Sequence, residues 1–175
     1  MSKQPYAALQ LSEESKERLL AAFPPQYGHI ALDHITIQYG TEDEASLINP
    51  DTIEILGRAD DGKGIEALLV RIDGQSFRDD GNPWHITLSY DKDSKAPPEL
   101  DLYNDAPTEG ASDKRKSRPY TAVMSNKLIR LALNPEVDGY RVDYLQTPLK
   151  ITATPQINYP DPEPDTSNKP DIGPI

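Results

Sequence analysis

The chain predicts an α+β fold with mainly antiparallel sheet. Three observations carry that expectation: short segments that alternate polar and apolar residues, turn-rich links of Gly, Asp and Asn, and only two helical stretches. At 175 residues it is long enough for one domain with a real core.

The first strand is expected from Tyr6 to Leu11. Ser12 is placed to cap a helix, since its hydroxyl can accept from the open N–H groups of the first turn. Glu13 and Glu14 favour the positive helix end, Leu19, Leu20 and Phe23 supply an apolar stripe, and Pro24-Pro25 ends it. A second strand runs from about Leu32 to Tyr39. Thr52 to Ala59 and Ile65 to Ile72 predict a hairpin across Asp60-Asp-Gly-Lys-Gly64. Gly62-Lys-Gly64 lacks the G-x-x-x-x-G-K-[ST] frame of a phosphate loop and reads as a turn. Another strand begins at Trp84, and residues 91–118 form a long polar loop ending in the basic run Lys114 to Arg118. That run is either a solvated offset to the acids before it or an electrostatic lid. A helical unit near Val123 to Leu133 ends at Asn134-Pro135, and Tyr140 to Tyr144 and Leu149 to Ala153 are the last strands. The expected domain is 1–154, followed by a Pro- and acid-rich tail over 155–175 with the composition of disorder.

One segment occurs twice. His34-Ile-Thr-Ile-Gln-Tyr-Gly40 returns 51 residues later as His85-Ile-Thr-Leu-Ser-Tyr-Asp91. At a period of two, His34 and Thr36 share one strand face and Ile35 and Ile37 the other, and the second copy repeats this. Imidazole exchanges a proton near neutral pH and a hydroxyl can donate to an anion. Paired, they predict acid–base chemistry on a phosphate at His34, Thr36, His85 and Thr87. Tyr39 and Tyr90, five positions after each histidine, should fall on the opposite, core-facing side. His29 belongs to no repeat and reads as a loop residue.

Composition narrows the remainder. Without Cys there are no disulfides, thiolate nucleophiles or Cys-based zinc sites, and no H-E-x-x-H, EF-hand or G-x-S-x-G pattern occurs. No metal and no cofactor is expected. A net charge of −11 disfavours coating of long nucleic acid but permits a small anionic substrate. With no apolar run of membrane length and no signal-peptide core, the expectation is a cytoplasmic protein with no membrane partner.

The two H-x-T elements resemble the signature of the 2H phosphoesterases, which include LigT-type RNA cyclic phosphodiesterases, the cyclic phosphodiesterase domains of tRNA ligases and, similarly, some phage nucleases that degrade cyclic oligonucleotide immune signals. Tyr6-Ala-Ala-Leu-Gln-Leu11, Ser125-Asn126-Lys-Leu-Ile129 and Pro148-Leu-Lys-Ile-Thr152 resemble flanking segments of such proteins. The resemblance spans about residues 5–154 and departs from compact members in the acidic insert after the second motif. It implies two similar lobes around a central cleft, with His34 and His85 as acid and base. The expected substrate is a 2′,3′-cyclic phosphate at an RNA end or on a nucleotide, with cyclic di- or oligonucleotides as the alternative. Different in class are a nucleotide-binding module without turnover and an interaction protein working through its tail. Tyr6, Trp84 and Tyr120 are candidates to stack on a base or sugar, and Arg118 to meet phosphate.

Overall fold

The computed structural model describes residues 4–97, 100 and 119–159. It is α+β, with two helices and antiparallel sheets. In order come β1 (Tyr6–Leu11), α1 (Glu13–Ala22), β2 (His29–Ile30), β3 (His34–Tyr39), β4 (Ile53–Asp60), β5 (Ile65–Ile72), β6 (His85–Tyr90), α2 (Met124–Leu133), β7 (Val142–Lys150) and β8 (Ala153–Asn158). One sheet is ordered β3-β1-β8 and the other β2-β6-β5-β4-β7.

Capping sets the start of α1. The Ser12 hydroxyl accepts from the Ser15 N–H at 3.1 Å, and Ser15 Oγ donates to the Thr152 carbonyl at 3.0 Å. Leu19 and Phe23 bury the inner face of the helix. Strand β5 is largely apolar because both of its faces are covered, with Glu66 its one fully buried charged side chain. Leu68, Val70 and Ile72 join a cluster with Leu9, Ile35 and Ile86 that is common to both sheets. On the far side Ile65, Ala67 and Leu69 pack with Met124, Leu128 and Ile129 of α2. No helix among the described residues is long and apolar enough to cross a membrane.

The two H-x-T strands share an irregularity. Along β1–β3, Ala7 pairs with Gln38 and Ala8 with Thr36, so Ile37 is an extra, unpaired residue. Along β5–β6, Glu66 pairs with Ser89 and Ala67 with Thr87, so Leu88 is extra in the same way. Each bulge stands three residues after its histidine and reverses the alternation beyond it.

Several expectations are corrected. The two last strands are one element, β7, whose halves pair separately with β4: Tyr144 opposes Gly57 and Leu149 opposes Ile55. The backbones come so close there that a Cβ on Gly57 would strike the Asp143 carbonyl. The boundary expected at 154 falls inside β8, since β1 pairs with residues through Asn158. His29 is not in a loop: β2 pairs with β6, and the His29 ring lies 4.6 Å from that of Tyr90. Of the expected polar loop, Ala96 and Leu100 are buried in the cluster under α2. Its basic run, Arg118 included, and most of the tail lie outside the described residues.

Candidate active site

His34 stands on β3, an outer strand of the smaller sheet, and His85 on β6 of the larger. The shared apolar cluster holds the two strands near each other, Ile35 and Ile86 facing into it. On the opposite face of each strand, His34, Thr36, His85 and Thr87 all line one cavity of about 740 Å³. The structure thus brings the four residues of the repeated motif together.

The histidines differ in what holds Nδ1. His85 Nδ1 lies 3.0 Å from the Pro83 carbonyl, which only accepts, so Nδ1 carries the hydrogen and the neutral ring keeps a lone pair on Nε2. Burial pushes the His85 pKa down to about 4, helped by the positive charge of Arg78 and by His34, although the Pro83 bond opposes the shift. At neutral pH this ring is a base. His34 Nδ1 lies 3.1 Å from Asp33 Oδ2. Burial alone would raise the Asp33 pKa, but hydrogen bonds from Gln10 and His34 and the charges of His34 and Lys16 hold it below the ordinary value. Asp33 is therefore ionised and accepts from Nδ1–H, which leaves His34 Nε2 turned away from the carboxylate.

The threonines also differ. Among the described residues nothing hydrogen-bonds the Thr36 hydroxyl, which stands open to the cavity. The Thr87 hydroxyl is 2.6 Å from the buried Ser125 Oγ, which itself donates to the Ala122 carbonyl at 2.9 Å. With one hydrogen each, Thr87 donates to Ser125 here; turned toward a ligand, it can accept from Ser125 instead.

The weaker candidates separate. Tyr6 lines the cavity, but its ring already meets two others: His34 is 5.0 Å away and Tyr39 is stacked on it at 5.9 Å. Trp84, 7% exposed, belongs to the shared core, and Tyr120, 1% exposed, is buried under α2 with its hydroxyl donating to Asp61 at 2.7 Å. Neither lines the cavity. Tyr39 was expected to face the core; the Ile37 bulge turns it to the His34 face, where it lines the cavity at 59% exposure. The Leu88 bulge likewise puts Tyr90 on the His85 side of its sheet, but α2 covers that end and Tyr90 packs there.

Five polar cavity residues had no signal in the repeat. Asp33, Arg78 and Asp80 bring the charges, and Asn82 and Asn126 bring amides joined to each other at 3.3 Å. Asp33 adjoins His34 in sequence and an acid beside a histidine is a legible pairing; Arg78 reaches the site only through the turn before β6. No group of three or more His, Asp or Glu suited to a metal ion occurs among the described residues. Against protein-family models, curated proteins and solved structures alike, the chain finds no match.

Proposed function

We propose that this cavity is the active site of a phosphodiesterase that hydrolyses a ribose 2′,3′-cyclic phosphate, at an RNA end or on a nucleotide, by two-histidine acid–base catalysis. The observation that carries the proposal is the opposite bonding of two imidazoles in one cavity, a carbonyl behind His85 and a carboxylate behind His34. On this reading the two sheets are the lobes of a 2H phosphoesterase-like fold and the cavity is their cleft.

His85 Nε2 takes a proton from a water whose oxygen forms the new bond to phosphorus. The bond from phosphorus to one ribose oxygen breaks, and that oxygen receives the proton on His34 Nε2. The histidines finish with their protonation exchanged and reset through solvent. Each transfer contributes roughly 10²- to 10⁴-fold in rate. Thr36 donates to a non-bridging oxygen, as does Thr87 once Ser125 supports it. Phosphoryl transfer needs positioning and electrostatics from the protein more than covalent chemistry, and these groups supply both without a metal.

A second reading rests on size. A cavity near 740 Å³ lies high in the range of about 300–1,000 Å³ usual for small-molecule sites, which favours a ligand of more than one nucleotide, cyclic oligonucleotides included. The test is incubation with 2′,3′-cyclic nucleotides, short RNA and cyclic oligonucleotides in excess EDTA, with product analysis. Hydrolysis of one class, abolished in folded His34→Ala and His85→Ala proteins, is the expected result. Tight binding without products would leave a nucleotide-binding module in its place.

A further inference from the structure

We propose that Arg78 is the residue that receives the negative charge of the bound phosphate, contacting its oxygens directly beside Thr36; this rests on the phosphodiester reading above. Arg78 sits in the turn between β5 and β6, which Gly81 closes at φ 90° and the Phe77–Pro83 bridge ties off. Its side chain is mostly buried and lines the cavity.

The guanidinium is fixed before any ligand arrives. Nε and Nη2 donate to the two carboxylate oxygens of Asp80 at 3.2 and 3.0 Å, and Nη1 donates to the Thr36 carbonyl at 3.3 Å. Asp80 is itself held, accepting from the Asn82 N–H at 2.9 Å. A guanidinium offers five hydrogens in a rigid plane. Three are spent in those bonds, and two, one on each terminal nitrogen, remain for a ligand. Because one bond ends on the backbone of Thr36, the cation is locked to the strand that presents His34 and the open hydroxyl. A planar cation with a hydrogen left on each terminal nitrogen can serve oxygens of one phosphate.

The same charge acts on the base. His85 shares the cavity with Arg78 and Asp80 from the turn, His34 and Tyr39 from β3 with Asp33 just before it, and Tyr6 from β1; Asn126 lines it from α2, and Arg130 donates to Asn82 Oδ1. Of these, Arg78 and His34 depress His85. An arriving phosphate monoanion offsets Arg78, so His85 becomes a stronger base when its substrate is in place. Substrate binding and base strength are thereby coupled through one side chain.

The experiment follows the His85 imidazole by NMR as pH is varied, in the full chain and in Arg78→Gln and Arg78→Lys, with and without inorganic phosphate. In the native protein the His85 midpoint near 4 rises when phosphate is added. Arg78→Gln starts with a higher midpoint, shows no further rise, and binds phosphate about tenfold or more weakly, the scale of a lost charge-assisted hydrogen bond. Arg78→Lys keeps the low midpoint but loses the fork, and also binds more weakly. If Arg78→Gln does not fold, Arg78→Lys decides: native phosphate affinity in it overturns the fork. Unchanged affinity and titration in Arg78→Gln overturn the proposal entirely. Arg78-dependent phosphate binding in a protein that turns over no cyclic phosphate sinks the enzymatic reading and leaves the anion site standing.

Discussion

His85 gives its Nδ1 hydrogen to the carbonyl oxygen of Pro83, two residues before it and 3.0 Å away. A backbone carbonyl has no other orientation to adopt, so this contact selects the tautomer with its lone pair on Nε2. Burial and Arg78 then keep that lone pair free of a proton down to about pH 4. The acid limb of kcat/KM should therefore fall near pH 4 rather than near the 6.5 of an ordinary imidazole. His85→Ala should lose roughly 10²-fold or more in kcat. An acid limb that stays at 6.5 would remove His85 from the role of base.

Stability should carry the mark of the same ring. Its pKa is lower folded than unfolded, so between about pH 4 and 6.5 the unfolded chain binds the extra proton. Stability is complete above that window and is lost as pH falls through it, by at most about 3 kcal/mol for a shift of this size. Denaturant midpoints measured across the window should decline in the native protein and flatten in His85→Gln.

Asp33→Asn should leave the fold intact and slow catalysis. The amide keeps the shape but removes the carboxylate that accepts from His34 Nδ1. A fall in kcat of about tenfold to a hundredfold, with melting unchanged, is the expected result. Native kcat in Asp33→Asn would show that His34 needs no carboxylate behind its ring.

Tyr39 and Trp84 should part ways under truncation. Tyr39 offers an open ring face at the cavity mouth, so Tyr39→Ala should raise KM by roughly 1–3 kcal/mol equivalent of base stacking with little change in melting. Trp84 is core, and Trp84→Ala should cost about 3–5 kcal/mol of stability. Thermal melts beside Michaelis curves for both variants give the comparison.

Local chemistry made the first half of the chain legible. Alternation marked β3 and β6, the turn-rich Asp60 to Gly64 marked the hairpin of β4 and β5, and Ser12 with Pro24 marked both ends of α1. The repeated motif marked the four polar residues that now line one cavity. The bulges left no such trace, because an unpaired Ile37 or Leu88 has the same propensity as a paired one. Period-two reasoning therefore placed Tyr39 on the wrong face while placing His34 and Thr36 together. Trp84 and Tyr120 show a different limit: whether a ring is core or cavity wall depends on elements distant in sequence, here the shared cluster and α2. The separation expected between Tyr144 and Leu149 is bridged by one strand, and β7 tolerates Pro148 because it lies at a sheet edge, where a missing N–H interrupts no ladder.

Ile35 and Ile86 lie back to back with the histidines, inside the apolar cluster that both sheets share. The spacing of the two rings is thus set largely by oil, with the Arg78–Thr36 bond a polar tie beside it. Slackening that interior, as Ile86→Val would, ought to dim turnover at temperatures where the chain still passes for native, so enzymatic rate becomes a finer thermometer of the interior than a melting curve.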